Sequence, residues 1–434
     1  MGRSRFSKMV YLWVLLAGWL AGCQQPTTTP TPAQPDQPAA IPAPETAVSE
    51  PETTAPEPYP IAPTATLLPA PYPPTATLTS DLFLPLVNLA QPTQPTPATP
   101  TTPTAAETAV SAPPQPLDFA TIAAQLQTNG QELVYTPIGF HTGIGGNWDG
   151  LVNYMTTLDT AGIPFFLKTA DNAEPLYIAQ QLMKQSGVPH TLVFRRAAGG
   201  DAYNVPPYDL PPEQAAEIHW QSHVVDFPPE LDPSLVWFET INEPDKNQAE
   251  WLAQFAYHTA QLALRDGYKW AAFGWASGEP EPTDWETPAM LDFLRLAGEH
   301  PDQIAIALHE YSYLVDDIGH EYPYKVGRFQ ELLRICDKYS IPRPTILITE
   351  WGWTYEDVPP PNQALQDIEW ASRLYSYYPE VKGAAIWFLG EGNFQGIAEK
   401  TQQLITPLRD FALQHYYVRP ANRPVPVVPE LFRP

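Results

Sequence analysis

Residues 237–246 read WFETINEPDK, an apolar run that stops at Asn242-Glu243-Pro244. Residues 345–353 read TILITEWGW, where a lone carboxylate, Glu350, again closes an apolar run. Two carboxylates that face one bond suit acetal chemistry. One, protonated, gives its proton to the leaving oxygen; the other, ionised, attacks the anomeric carbon or activates water. The two environments must then push the two pKa values apart. Read this way, Glu243 and Glu350 are a pair equipped to cut a glycosidic bond. The plainer alternative for the first stretch is a helix start with Asn242 as its cap.

Such a pair needs a scaffold that brings distant segments together. From about residue 117 to 434 the composition is globular, and short apolar runs alternate with helix-period segments. The predicted strands are LVYTPIGF (133–140), PFFLKT (164–169), HTLVFRR (190–196), LVWFETIN (235–242), KWAAFGW (269–275), IAIALHEY (304–311), TILITEW (345–351) and AAIWFL (384–389). Strands alternating with helices imply a parallel sheet with right-handed crossovers, and eight is the number that closes a barrel. The fold class is α/β, a (β/α)8 TIM barrel. A doubly wound open sheet is the rival, but no phosphate-binding loop of the G-x-G-x-x-G form follows the first strand.

Barrels of this kind carry their sites at the C-terminal ends of the strands. The polar and aromatic residues there are His141, Lys168, Arg195, Asn242, Glu243, Trp275, His309, Tyr311, Glu350, Trp351 and Trp387. Arg195 sits where a base could keep Glu350 ionised, and strand alternation lets only one of Arg195 and Arg196 point inward. Glu239 reads as a buried structural acid paired with a base. Glu310 alternates away from the mouth and reads as a packing or salt-bridge residue.

NEP closing the fourth strand, HEY the sixth and TEWG the seventh, with a Trp on the eighth, resemble clan A glycoside hydrolases. These are the retaining (β/α)8 enzymes that include families 5, 39 and 53. The resemblance spans about 125–415, and the second strand, with LKTADN, departs from it. It implies Glu243 as acid/base, Glu350 as nucleophile and Asn242 as the partner of the sugar 2-hydroxyl. It further implies Tyr311 near the nucleophile beside His309, and Trp387 as a platform under the sugar next to the cut. His141, Lys168, Trp275 and Trp351 are read as substrate-binding from strand ends alone. No metal or organic cofactor is implied.

Other classes leave no trace. There is no His-x-His on an early strand, no Gly-x-Ser-x-Gly, no P-loop and no zinc spacing. Two rivals use the same scaffold: a surface carbohydrate-binding protein without activity, and a transglycosylase with the same two glutamates.

The chain has 434 residues, 54 prolines, 13 tryptophans, 2 cysteines and a formal charge of −25. That acidity argues against nucleic acid as a partner and suits a neutral poly- or oligosaccharide. Residues 1–22 carry Arg3, Arg5 and Lys8, then a short apolar run, and read as an export signal. Leu20-Ala21-Gly22-Cys23 resembles the lipobox of bacterial lipoproteins, which implies a lipid on Cys23 and a membrane as partner. Residues 23–116 are rich in Pro and Thr and read as a disordered stalk. One apolar island, 81–90, interrupts it. The expectation is a monomeric domain held outside the cytoplasm on a lipid anchor. Cys336 lies in FQELLRICDKY on an apolar helix face and reads as a small core residue.

Overall fold

The computed structural model describes residues 112–197, 201–354, 356–390 and 394–434. The predicted export signal, Cys23, the island 81–90 and the predicted stalk up to residue 111 lie outside the described residues. Among the described residues there are ten strands: β1 (Gln131–Val134), β2 (Ile138–Thr142), β3 (Phe166–Ala170), β4 (Thr191–Arg195), β5 (Val236–Glu239), β6 (Lys269–Trp275), β7 (Ile304–Tyr311), β8 (Thr345–Gly352), β9 (Val381–Ile386) and β10 (Tyr417–Pro420). Strands β2 to β9 run parallel in sequence order, and β9 pairs with β2 to close an eight-stranded barrel. Helices follow the strands, so the fold is a (β/α)8 TIM barrel.

The predicted strand 133–140 is two strands. Pro137 has no N–H to give a ladder, and the chain breaks there. The first half is β1, which pairs antiparallel with β10. The second half is β2. The predicted strand 235–242 ends at Glu239, so Asn242 and Glu243 belong to the loop beyond it. The predicted strand 384–389 lies earlier, at Val381–Ile386, and a cis peptide joins Trp387 to Phe388 directly after it.

Helix Phe329–Lys338 shows how sequence makes the outer layer. Its residues Phe329, Leu332, Leu333 and Cys336 are one helical face, and all are buried against the barrel. Helix Ala249–Asp266 stops at Gly267, whose φ of 77° is left-handed and natural to glycine.

Inside the barrel, Phe166, Val193, Trp237, Ala271, Ala305, Ala307, Leu347 and Ala385 form a separate apolar cluster. Two residues further along the strands, the same faces carry Lys168, Arg195, Glu239 and His309, all buried. The interior thus changes from apolar to charged within one layer.

The register shifts in the β6–β7, β7–β8 and β8–β9 pairs, and two of these irregularities shape the site. Between Leu308 and His309 the β7–β8 register shifts: Leu308 faces Ile348, but His309 faces Glu350. One extra residue on β8 turns Glu350 into the barrel, where regular alternation from Leu347 would have aimed Thr349. A second shift lies on β6 between Phe273 and Trp275. Phe273 has a φ of 79° there, and Gly274 rather than Trp275 faces the charged layer.

Candidate active site

The charged layer is a cluster of opposite signs. Lys168 Nζ donates to Glu239 Oε1 at 2.8 Å and to Glu350 Oε1 at 3.2 Å. Arg195 Nη1 lies 3.3 Å from Glu239 Oε1 and 3.1 Å from Glu350 Oε1. Two cations thus meet two anions, which is how such charges survive burial. Arg195 also donates to the Asn242 side-chain oxygen. Arg196 points the other way, to Asp171. The second Glu350 oxygen accepts from the Tyr311 hydroxyl at 2.8 Å.

The result is a strongly acidic Glu350. Burial pushes its carboxyl up, but His309, Lys168, Arg195 and His141 outweigh burial and hold it well below the usual carboxylate range. Glu239 is held low in the same way: burial raises it, while Lys168, Arg195 and His309 bring it down. Burial and the neighbouring Glu350 push the Tyr311 hydroxyl well above its ordinary value, so Tyr311 is a lasting donor.

Glu243 is set differently. It lies beyond β5 with a φ of 43°, a left-handed conformation that is uncommon outside glycine. Its N–H holds it there by donating to the Gly274 carbonyl at 2.9 Å. The bulge of β6 and the placement of Glu243 are therefore one device. Its carboxylate is exposed and meets His309, with Nδ1 3.0 Å from Glu243 Oε1. The same nitrogen is 3.6 Å from Glu350 Oε2, so the imidazole stands between the two acids.

His141 is buried at the end of β2, and neither ring nitrogen has a partner in the protein. Burial and the charge of Lys168 push it well below the ordinary histidine value, which leaves a neutral ring. Trp387 is half-buried, stacked on Phe388 at 4.6 Å, with Tyr311 at 6.3 Å. The described structure thus gathers His141, Lys168, Arg195, Asn242, Glu243, His309, Tyr311, Glu350 and Trp387 around one opening.

Trp275 and Trp351 do not join them. Trp275 is fully buried on the helix side, against Phe273 and Trp285. The β6 bulge is the cause. Trp351 follows the re-aimed Glu350, so it points out of the barrel and packs on Trp353 at 5.1 Å. Glu310 also points outward, where it accepts from the Gly327 and Phe329 N–H groups and the Tyr375 hydroxyl.

Two residues of the site escaped the sequence reading. A Cβ on Gly274 would lie 3.3 Å from both Glu239 Oε1 and His309 Nε2, so glycine keeps this wall open. An isolated glycine in the apolar run KWAAFGW is the usual sign of a bulge, and was the available signal. Ser277 Oγ accepts from the Tyr311 N–H at 2.6 Å and donates to the His309 carbonyl at 3.2 Å, fixing the end of β7.

One oxygen or nitrogen from each of Glu243, His309 and Glu350 lies within 4.8 Å of the others, a spacing that could hold a metal ion. The charges oppose it. Lys168 and Arg195 already crowd Glu350 Oε1, and a third cation beside them would be repelled.

No protein-family model matches the chain, and no curated protein matches it either. Among solved structures, an endo-beta-1,4-glucanase from Xanthomonas axonopodis pv. citri is 13% identical over 65% of this chain and 99% of that one, with a TM-score of 0.38. A mandelate racemase/muconate lactonizing protein from Herpetosiphon aurantiacus is 12% identical over 59% and 54%, at 0.25. A tryptophan synthase alpha-subunit from Pyrococcus furiosus is 12% identical over 65% and 98%, at 0.29. Likenesses this low, to proteins this different from one another, carry no weight for the activity of this chain.

Proposed function

We propose that this protein is a retaining glycoside hydrolase that cleaves O-glycosidic bonds of a poly- or oligosaccharide by double displacement. The observation that carries the proposal is the inequality of two neighbouring carboxylates. Glu350 is buried, bonded to two cations and a tyrosine, and strongly acidic. Glu243 is exposed and within reach of a leaving group. One oxygen of each lies within 4.8 Å of the other. That fits the spacing of about 5–5.5 Å in retaining pairs, and leaves little room for the water of an inverting one.

In the first step a Glu350 oxygen bonds to the anomeric carbon while the bond to the leaving oxygen breaks. Glu243 gives that oxygen its proton. In the second step water adds at the same carbon, Glu243 takes its proton, and Glu350 leaves as a carboxylate. Lys168, Arg195 and Tyr311 hold the nucleophile in place and in charge. Asn242 and His141 offer hydrogen bonds to sugar hydroxyls, and Trp387 offers a face for the ring.

The lipobox-like Cys23 and the Pro/Thr-rich segment support a domain carried on a stalk from a lipid anchor, outside the cytoplasm. A reducing-end release screen tests the enzymatic reading. Residues 112–434 are incubated with β-glucans, mannans, xylans, galactans and aryl glycosides, with Glu350→Gln as control. Release by the wild type alone is expected. Binding without release from any substrate would favour a carbohydrate-binding role instead.

A further inference from the structure

Beside the site, over the ends of β2 and β3, lies a cavity of about 380 Å³ lined by Gly145, Gly146, Trp148, Asp149, Asn172 and Glu174. We propose that it binds a further sugar unit of the substrate, on the side of the cut that stays with Glu350. This rests on the hydrolase reading and goes beyond it, because it makes the enzyme a reader of chain length.

The first support is position. The loop 143–150 that carries Trp148 is fastened to the segment that carries Trp387. Asn147 Nδ2 donates to the Gly390 carbonyl at 3.1 Å and to Gln395 Oε1 at 3.1 Å. Gly143 packs so closely that a Cβ there would lie 2.7 Å from the Phe388 ring, and Phe388 stacks on Trp387. The cavity is therefore the next stop beyond the Trp387 face. In the eight-stranded ring, β9, which leads to Trp387, lies opposite β5, which leads to Glu243, and β2 is the neighbour of β9. The leaving group must reach Glu243, so the retained part of the chain extends the other way.

The second support is chemistry. The Trp148 indole N–H is taken by the Gly145 carbonyl at 3.1 Å, and the half-buried ring packs against the core on one side while it lines the cavity with the rest. An aromatic face with acid and amide groups around it matches a pyranose, apolar on its C–H side and hydroxylated at its rim. Asp149 and Glu174 are exposed, and no ion pair of theirs occurs among the described residues. As carboxylates they accept from sugar hydroxyls. Gly145 and Gly146 let a ligand approach the backbone.

The test uses residues 112–434 and 4-nitrophenyl β-glycosides of glucose, mannose and xylose chains, one to four units long. The wild type is expected to gain in kcat/KM with each unit up to about three. Trp148→Ala is expected to lose roughly tenfold on the longest chains and under about twofold on the single sugar. Asp149→Ala, an exposed change, is expected to lose several-fold in the same pattern. An equal loss at every length would mean a structural role for Trp148 and overturn the subsite. So would a wild type indifferent to length. If no glycoside is cleaved, the hydrolase reading fails. The subsite is then judged by titrating Glu243→Gln with the corresponding tetrasaccharides, with and without Trp148→Ala. Binding weakened at least tenfold by Trp148→Ala supports it; equal binding or none overturns it.

Discussion

Glu350 and Glu243 stand at the mouth of one barrel in opposite circumstances. The Glu350 side chain is 8% exposed and shares its oxygens among Lys168, Arg195 and Tyr311. The Glu243 side chain is 43% exposed and its carboxylate meets His309. The difference comes from how the backbone delivers each. A bulge on β8 turns Glu350 into the charged layer, while a left-handed residue past β5 holds Glu243 above it. Two identical side chains are thereby set apart, a buried anion bonded to cations and an exposed carboxylate beside His309, and the proposed mechanism uses the first as nucleophile and the second as acid/base.

Removing the anion should do the most damage. Glu350→Gln is expected to lower kcat/KM by roughly 10⁴-fold or more on every substrate, because the nucleophile is gone whatever the leaving group. Glu243→Gln should cost about 10²–10⁴-fold on natural glycosides, and far less on aryl glycosides whose phenol leaves without a proton. A comparison of 4-nitrophenyl and polysaccharide rates for both variants reads the split. Equal sensitivity to the leaving group would break the assignment of roles.

Lys168→Met probes what keeps Glu350 apart. Its loss leaves Glu239 and Glu350 with Arg195 as the shared cation, and is expected to cost about 3 kcal/mol in chemical denaturation. The Glu350 carboxyl rises towards its ordinary value, so the acid limb of the pH–rate profile should move upward in pH. A profile that stays in place would mean that Lys168 acts on Glu239 alone.

The supporting wall should matter less. Gly274→Ala puts a methyl group against His309 and Glu239 at a φ of 57°, and should destabilise by about 1–2 kcal/mol while lowering kcat. The smallest effect concerns Glu310, one residue from His309 but on the far face of β7. Burial pushes its carboxyl up to about 7 from 4.5, against the bonds from Gly327, Tyr375 and Phe329. In that window the folded protein keeps a proton that the unfolded chain has released. Stability therefore falls as pH rises through it, and denaturation of Glu310→Gln at about pH 5 and about pH 8 should show that slope reduced.

Much of this was readable from residues alone. The barrel follows from eight apolar runs between helical segments, and strand ends located nine of the residues now found around the mouth. Glu239 could be read as a paired acid because it lies inside an apolar strand. What failed was local. Trp275 and Trp351 were placed at the mouth by counting along regular strands, and bulges invalidate the count. Glu350 was found because it closes an apolar run; alternation from Leu347 alone would have turned it away. Pro137 was passed over as a breaker, although its missing N–H splits the first predicted strand.

The central claim is that Glu350 bonds to the sugar and that the pair is a retaining one. The most direct measurement is the configuration of the product at the moment of release, followed by proton NMR on a substrate found in the screen. The first anomer to appear should have the configuration of the bond that was cut, with the other growing in only at the rate of mutarotation. First release of the opposite anomer would contradict the claim. It would mean that water, held between the two carboxylates, attacks in a single step.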